Sequence, residues 1–296
     1  MITFHQLIQT NQKKLAHVHP DTASFEIWVL IEHIFSIKKA TLLQRLHDPV
    51  TNVDLIQKLE TYIEDRCNHK PLDLIIGNTE FCGKTYHVMP AVLIPRPETE
   101  YVVQYALQKI AEHRIDSQSQ TIIECGFGTG IISIECALTY SSATIYAYDI
   151  SKEAYTCATK NAANHNVKNV TWICDDFFNG DWKNNISLNE PFFFISNPPY
   201  ISAADLKKCD RSVTDYEPTT ALLGGPDGLL YYNKFFKELK DYSCYMILEV
   251  GINQQEPLTN IMTNLNINSY EFINDVQGIP RILGVNLLKK VANLGL

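Results

Sequence analysis

Ile122-Ile123-Glu124-Cys125-Gly126-Phe127-Gly128-Thr129-Gly130 reads as a buried strand that runs into a G-x-G-x-G turn and then into a helix. Glycine permits the sharp backbone turn and leaves room for a ligand to lie against the main chain. Each glycine costs roughly 0.5–1 kcal/mol of order relative to alanine, so three so close together call for a reason. A dinucleotide fingerprint would set its third glycine at position 131, which is Ile131, so a pyrophosphate is not the expected ligand.

Outward from this turn, everything after Pro97 alternates between strand and helix. Residues 121–125, 144–148, 170–174, 192–196, 245–250, 271–274 and 282–287 read as strands, and residues 98–113, 130–140, 152–165, 228–241 and 253–265 as helices. That alternation predicts an α/β fold: a seven-stranded doubly wound parallel sheet, with a ligand crevice at the carboxyl ends of its strands.

Toward the N-terminus the periodicity is helical. Phe4, Leu7 and Ile8, then Phe25, Trp28, Val29 and Ile31, then Val53, Ile56, Leu59 and Ile63 form apolar stripes. Asp21-Thr22 and Thr51-Asn52 stand where N-caps belong, and Pro20 and Pro49 mark breaks. Leu74-Ile75-Ile76, Glu80-Phe81 and Tyr86-His87-Val88 are β-like, with Gly83-Lys84 supplying a turn. The expected organisation is a small helical-bundle domain over 1–72, a β-hairpin linker over 73–95 and the sheet domain over 96–296.

Composition narrows the function. The chain has 25 Lys and Arg against 33 Asp and Glu, a formal net charge of −8, and no basic run. Nucleic-acid affinity is carried largely by Lys and Arg, so no stable nucleic-acid partner is expected. The 8 cysteines include no C-x-x-C pair, and His17-x-His19 and Cys67-x-His69 are isolated pairs, so no metal is expected. The N-terminal stretch is polar where a secretory signal would be apolar, and no run approaches a membrane span, which predicts a cytoplasmic protein, read as a monomer.

Two further carboxylates fall in register with the glycine turn. Asp149 ends the second sheet strand, where a carboxylate can accept from both hydroxyls of a ribose. Asp176-Phe177 follows the third, where the carboxylate can accept from an adenine amine and the ring or main chain can pack on its edge. Either aspartate alone reads more readily as a helix N-cap. Taken together with a phosphate-free glycine loop, they point to adenosylmethionine, with Gly126, Phe127, Gly128, Thr129, Gly130, Asp149, Asp176 and Phe177 as candidate cofactor-binding residues.

The apolar strand 192–196 runs straight into Asn197-Pro198-Pro199-Tyr200. Two prolines stop the sheet ladder and fix the backbone, and by itself the tetrapeptide could merely end a strand in a turn. Its place on the same rim as the glycine loop and Asp149 gives it another reading. The Asn197 side chain and the Pro198 carbonyl are both acceptors, suited to the two N–H groups of a planar amide or amino nitrogen. Asn197, Pro198 and Tyr200 are the candidate catalytic residues, Asn197 to Tyr200 including Pro199 the candidate substrate site, and Asn197 also a cofactor contact. An adenine amine of DNA or RNA would present the same planar nitrogen, but base chemistry needs phosphate contacts that the charge does not favour. A degenerate methyltransferase fold kept as a binding module would be expected to lack Asp149 or Asn197; both are present.

These residues carry a resemblance. Leu93-Ile94-Pro95-Arg96-Pro97-Glu98-Thr99-Glu100, Asn197-Pro198-Pro199-Tyr200, Glu217-Pro218-Thr219-Thr220-Ala221-Leu222 and Gly225-Pro226-Asp227-Gly228-Leu229 resemble the PrmC/HemK family of release-factor glutamine N5-methyltransferases over nearly the whole chain. The resemblance implies a Rossmann-like methyltransferase sheet behind a helical substrate-recognition domain. It also implies S-adenosyl-L-methionine at Gly126 to Gly130, Asp149, Phe177 and Asn197, with S-adenosyl-L-homocysteine as product. The implied substrate is the Gly-Gly-Gln glutamine of class I peptide chain release factors, held at Asn197 to Tyr200. The Arg96-Pro97-Glu98-Thr99-Glu100 stretch favours release factors over the related ribosomal-protein substrate. Glu98 and Glu100 are expected either to start the following helix electrostatically or to line the cofactor pocket.

Overall fold

The computed structural model describes residues 2–113, 120–185 and 190–289; residues 1, 114–119, 186–189 and 290–296 of the expected domains lie outside them. Two compact units divide the chain, residues 1–78 with 210–216 and residues 79–209 with 217–296.

In the first unit the apolar stripes become α1 (Phe4–Ala16), α2 (Ala23–Phe35) and α4 (Val53–Cys67), with the short α3 (Lys39–Gln44) and α5 (Leu72–Ile76) between and after them. Thr3 and Gln6 form a reciprocal capping box at the start of α1, and the Asn52 side chain accepts from the Leu55 amide at 3.1 Å. Thr22 occupies the cap of α2, but its hydroxyl donates to Glu26 at 2.8 Å and caps nothing. Leu15, Ile27, Leu30, Ile31, Leu42 and Leu59 form a sealed core. Beside it the buried Arg66 guanidinium grips Glu26 with bonds of 2.7 and 2.9 Å. Leu74-Ile75-Ile76 is helix, against the β-like reading: one turn opens after Pro71, closes on the left-handed Gly77 and buries Leu74 and Ile75. Three apolar residues in a row carry no period, so the burial available to them decided the conformation. Tyr216 joins this unit by donating its hydroxyl to the Asn68 carbonyl at 2.8 Å.

The second unit opens with the hairpin β1 (Asn78–Phe81) and β2 (Lys84–His87). Its turn is Cys82-Gly83, both at positive φ, and Lys84 already belongs to β2. Then follow α6 (Thr99–Glu112), β3 (Thr121–Cys125), α7 (Ile131–Thr139), β4 (Thr144–Asp149), α8 (Lys152–Asn164), β5 (Val170–Cys174) and β6 (Phe192–Ser196). The short helices α9 (Ala203–Leu206) and α11 (Thr219–Leu222) precede α12 (Leu230–Leu239), β7 (Cys244–Glu249), α13 (Gln255–Asn264), β8 (Tyr270–Asn274) and β9 (Pro280–Asn286), while α10 (Arg211–Thr214), between α9 and α11 in the chain, belongs to the first unit. The seven sheet strands lie in the order β5-β4-β3-β6-β7-β9-β8. The first five run parallel, and β9 and β8 add an antiparallel edge.

Alternate residues of the central strands feed two apolar layers. Ile122, Ile145, Phe193, Ile195 and Ile247 meet α6 and α7 on one face. Ile123, Phe194, Met246 and Leu248 meet α12 and α13 on the other. Strand order reverses between β3 and β6, so their carboxyl ends part around a crevice. No helix among the described residues is long and apolar enough to cross a membrane.

Candidate active site

A cleft of about 980 Å³, counting the solvent at its mouth, opens at that reversal. It is lined from the ends of β3, β4 and β6, from Ala91–Leu93 and from α11 and α12.

The glycine turn forms its floor. The Gly126 amide donates to the Tyr148 carbonyl at 2.7 Å, and the Gly128 amide to Asp149 Oδ2 at 2.9 Å. Asp149 Oδ1 accepts from the Ser151 amide at 2.9 Å, while the cap of α8 is Ser151 itself. Asp149 is therefore no N-cap; it ties the loop to β4 and faces the cleft. Burial pushes its carboxyl above the usual range, against the pull of the Gly128 and Ser151 amides. Gly128 sits at φ +52 with nothing within 4 Å of where a Cβ would stand, so its face is open to a ligand. Gly130 differs: a Cβ there would meet Ala158 Cβ and Trp172 Cη2 at 2.8 Å.

The sequence candidates separate here. Gly126, Gly128, Asp149, Asp176, Phe177 and Asn197 line the cleft; Phe127, Thr129 and Gly130 do not. Phe127 turns inward against Trp172, with ring centroids 5.0 Å apart, and the Thr129 carbonyl accepts from Asn161 at 2.9 Å. These residues support the loop from behind. Asp176 caps the short turn after β5 by accepting from the Phe178 amide at 2.9 Å. The Phe177 ring is buried and stacks on Trp182 at 5.2 Å, beneath the cleft it helps to line. Phe178, Tyr231 and Lys234 escaped the sequence reading: all three line the cleft, and Lys234 Nζ stands 4.6 Å from the Phe178 ring centre. An aromatic four positions beyond a strand, and a tyrosine and a lysine inside a helix, carry no local mark of such a role.

At the opposite lip the Ser196 hydroxyl donates to the Cys125 carbonyl at 2.6 Å, joining the ends of β6 and β3. Asn197, Pro198 and Pro199 line the cleft. Asn197 Nδ2 donates to Thr99 Oγ1 at 3.1 Å, Thr99 donates to Glu249 Oε2 at 2.7 Å, and the Tyr200 hydroxyl donates to Glu249 Oε1 at 3.1 Å. The Tyr200 ring is thus held behind the lip and does not wall the cleft. Gln254 clamps the turn by donating to the Tyr200 carbonyl at 3.0 Å and the Gly228 carbonyl at 3.1 Å.

The 95–100 stretch braces this lip. Arg96 pairs with the buried Glu217, which also accepts from the Ile94 amide at 3.2 Å. Glu98 stands at the start of α6, 3.6 Å from Arg281, and Glu100 accepts from the Cys82 amide at 2.7 Å; neither lines the cleft. Burial pushes the Glu249 carboxyl up to about 7 and Glu124 up to about 8.

The donors and acceptors suit adenosylmethionine. An open glycine face and a strand-end carboxylate meet the needs of a nucleoside, and the position where a dinucleotide loop sets its third glycine is held by Ile131, the first residue of α7.

Comparison with known proteins places the chain. A PrmC N-terminal domain model matches residues 6–77, and a methyltransferase small domain model matches residues 104–212. The release factor glutamine methyltransferase of Thermodesulfovibrio yellowstonii is 31% identical over 259 residues, covering 86% of this chain and 89% of that protein. The protein of the same name from Geobacter sulfurreducens is 29% identical, with 95% and 96% covered. Among solved structures, a human methyltransferase 10 domain containing protein matches with a TM-score of 0.50 at 13% identity, covering 70% of this chain and 90% of its own, a likeness of fold alone. At that identity and coverage, and with the two domain models matched in chain order, this chain belongs to the release factor glutamine methyltransferase family.

Proposed function

We propose that the chain transfers the methyl group of S-adenosyl-L-methionine to the side-chain amide nitrogen (N5) of the Gly-Gly-Gln glutamine in class I peptide chain release factors, leaving S-adenosyl-L-homocysteine. The observation that carries this reading is the Asn197 amide, with Nδ2 committed to Thr99, standing at the strand-order reversal on the same rim as Gly128 and Asp149.

Gly126, Gly128, Asp149, the Phe177 main chain and Asp176 would hold the cofactor, with Asp149 taking ribose hydroxyls. Phe178, Tyr231 and Lys234 extend that wall. When bound, adenosylmethionine supplies a methyl on a sulfonium: the carbon–sulfur bond breaks as the nitrogen pair forms the new carbon–nitrogen bond, and an amide proton passes to solvent. Asn197 Oδ1 and the Pro198 carbonyl accept the two N–H groups of the glutamine. This turns the nitrogen pair toward the methyl and favours the positive charge that develops on nitrogen. Orientation of this kind is worth roughly 7–11 kcal/mol in favourable cases, so no strong general base is needed. Pro198 and Pro199 keep both acceptors fixed. Tyr200 acts through Glu249 and not on the substrate. The helical unit, read as residues 1–72, serves to grip the protein substrate, and the enzyme works as a cytoplasmic monomer without stably bound nucleic acid.

Incubating the protein with labelled adenosylmethionine and, separately, a class I release factor, a ribosomal protein and DNA tests the reading. Label on the release factor alone supports it; label on either other substrate, with none on the release factor, refutes it.

A further inference from the structure

We infer that Thr99 and Glu249 are positioning residues that set the polarity of the Asn197 amide, turning Oδ1 and not Nδ2 into the cleft. The inference rests on the proposed reaction, in which Asn197 must accept a hydrogen bond from the substrate nitrogen.

A threonine hydroxyl has one proton and two lone pairs. The Thr99 proton goes to Glu249 Oε2, 2.7 Å away, so toward Asn197 the hydroxyl offers only a lone pair. Its partner there has to be a donor, which selects Nδ2 at 3.1 Å and leaves Oδ1 for the cleft. Glu249 cannot send a proton back along this path while it is a carboxylate, because Thr99 and Tyr200 each donate to one of its oxygens. The direction is therefore fixed from Glu249 outward through Thr99 to Asn197. An amide turned over would present two N–H groups to a substrate that also brings N–H groups, and no hydrogen bond would form.

The surroundings keep Glu249 isolated from solvent. It is 1% exposed at the end of β7, and the charged groups that act on it are Glu98, which opposes its ionisation, and Arg281, which favours it. Arg281 and Arg96 act likewise on the Tyr200 hydroxyl. Glu98 and Glu100 drew attention in the sequence, yet the residue between them carries the connection to the lip.

Thr99→Val keeps the shape and removes the hydroxyl; Thr99→Ser keeps the hydroxyl; Glu249→Gln can donate where the carboxylate only accepts. For each we would measure kcat and KM with the release factor, and the Kd of adenosylmethionine as a report of an intact fold. Thr99→Val and Glu249→Gln are expected to lower kcat by about 10²-fold, the scale of one lost transition-state hydrogen bond. Thr99→Ser should restore kcat to within about threefold, and cofactor Kd should move by less than about threefold throughout. Wild-type kcat in Thr99→Val overturns the inference, as does a Thr99→Ser variant as impaired as Thr99→Val, or a loss of cofactor affinity as large as the loss of kcat. Wild-type turnover is measured in parallel: its absence refutes the release-factor substrate, whereas its presence beside an unimpaired Thr99→Val refutes only the polarity assignment.

Discussion

Asn197 Nδ2 lies 3.1 Å from Thr99 Oγ1 although the residues stand 98 positions apart in the chain. This bond ties the end of β6 to the first turn of α6, so the lip of the cleft does not rest on its own tetrapeptide alone. Asn197→Ala deletes the acceptor while leaving Gly128 and Asp149 untouched. Methylation of the release factor should fall by roughly 10²–10³-fold with cofactor Kd nearly unchanged. Single-turnover rates beside a cofactor titration separate the two effects, and wild-type-like turnover would contradict the assigned role.

Asp149→Ala should act on the other half of the site. It removes the acceptor for a ribose and also the anchor of the Gly128 amide, so the floor loosens as the ligand contact goes. Cofactor Kd should rise about 10–100-fold, the scale of a charge-assisted hydrogen bond or two, while kcat at saturating cofactor changes less. Calorimetric titration checks it; an unchanged Kd would remove Asp149 from the cofactor site.

The glycines of the turn should fail in different ways. Gly128→Ala meets no neighbour but forces a side chain to φ +52, costing roughly 1–2 kcal/mol, and its methyl enters the cleft. Gly130→Ala drives a Cβ into Ala158 and Trp172 and should cost about 1–3 kcal/mol from overpacking, before any strain at φ +81. Denaturation midpoints and cofactor Kd measured on both should show the larger affinity loss in Gly128→Ala and the larger stability loss in Gly130→Ala.

Glu249 couples activity to pH. Burial raises its carboxyl to about 7, the Thr99 and Tyr200 hydroxyls pulling back, and the ionised form is the one that orients Thr99. The ratio kcat/KM should therefore climb as pH rises through about 7 and level off above it, and Glu249→Gln should lack that limb. Stability runs the other way. The folded carboxyl keeps its proton to higher pH than an unfolded one near 4.5, so its contribution is present below that value and lost as pH rises through about 7. Thermal midpoints of wild type and Glu249→Gln across this range should converge toward the acid side and part toward the alkaline side.

What the sequence could convey follows from how local each signal is. Strand 192–196 was legible because a strand buried on both faces is written as unbroken apolar residues, and Phe192–Ser196 is wholly buried. The glycine turn was legible because its conformation demands glycine in sequence neighbours. Leu74-Ile75-Ile76 was misread because an apolar triplet fits either period. The short helices between Ala203 and Leu222 went unread, each being about one turn long and too short to carry a stripe. The inward turn of Phe127 depends on Trp172, and the roles of Thr99 and Tyr200 depend on Glu249, partners that sequence distance conceals.

The most direct test is where the methyl goes. A class I release factor treated with the protein and adenosylmethionine, then digested and sequenced by tandem mass spectrometry, should carry one methyl on the side-chain nitrogen of the Gly-Gly-Gln glutamine, and none after treatment with Asn197→Ala. A methyl on another residue, an unmodified glutamine with active wild-type protein, or equal modification by Asn197→Ala would contradict the account.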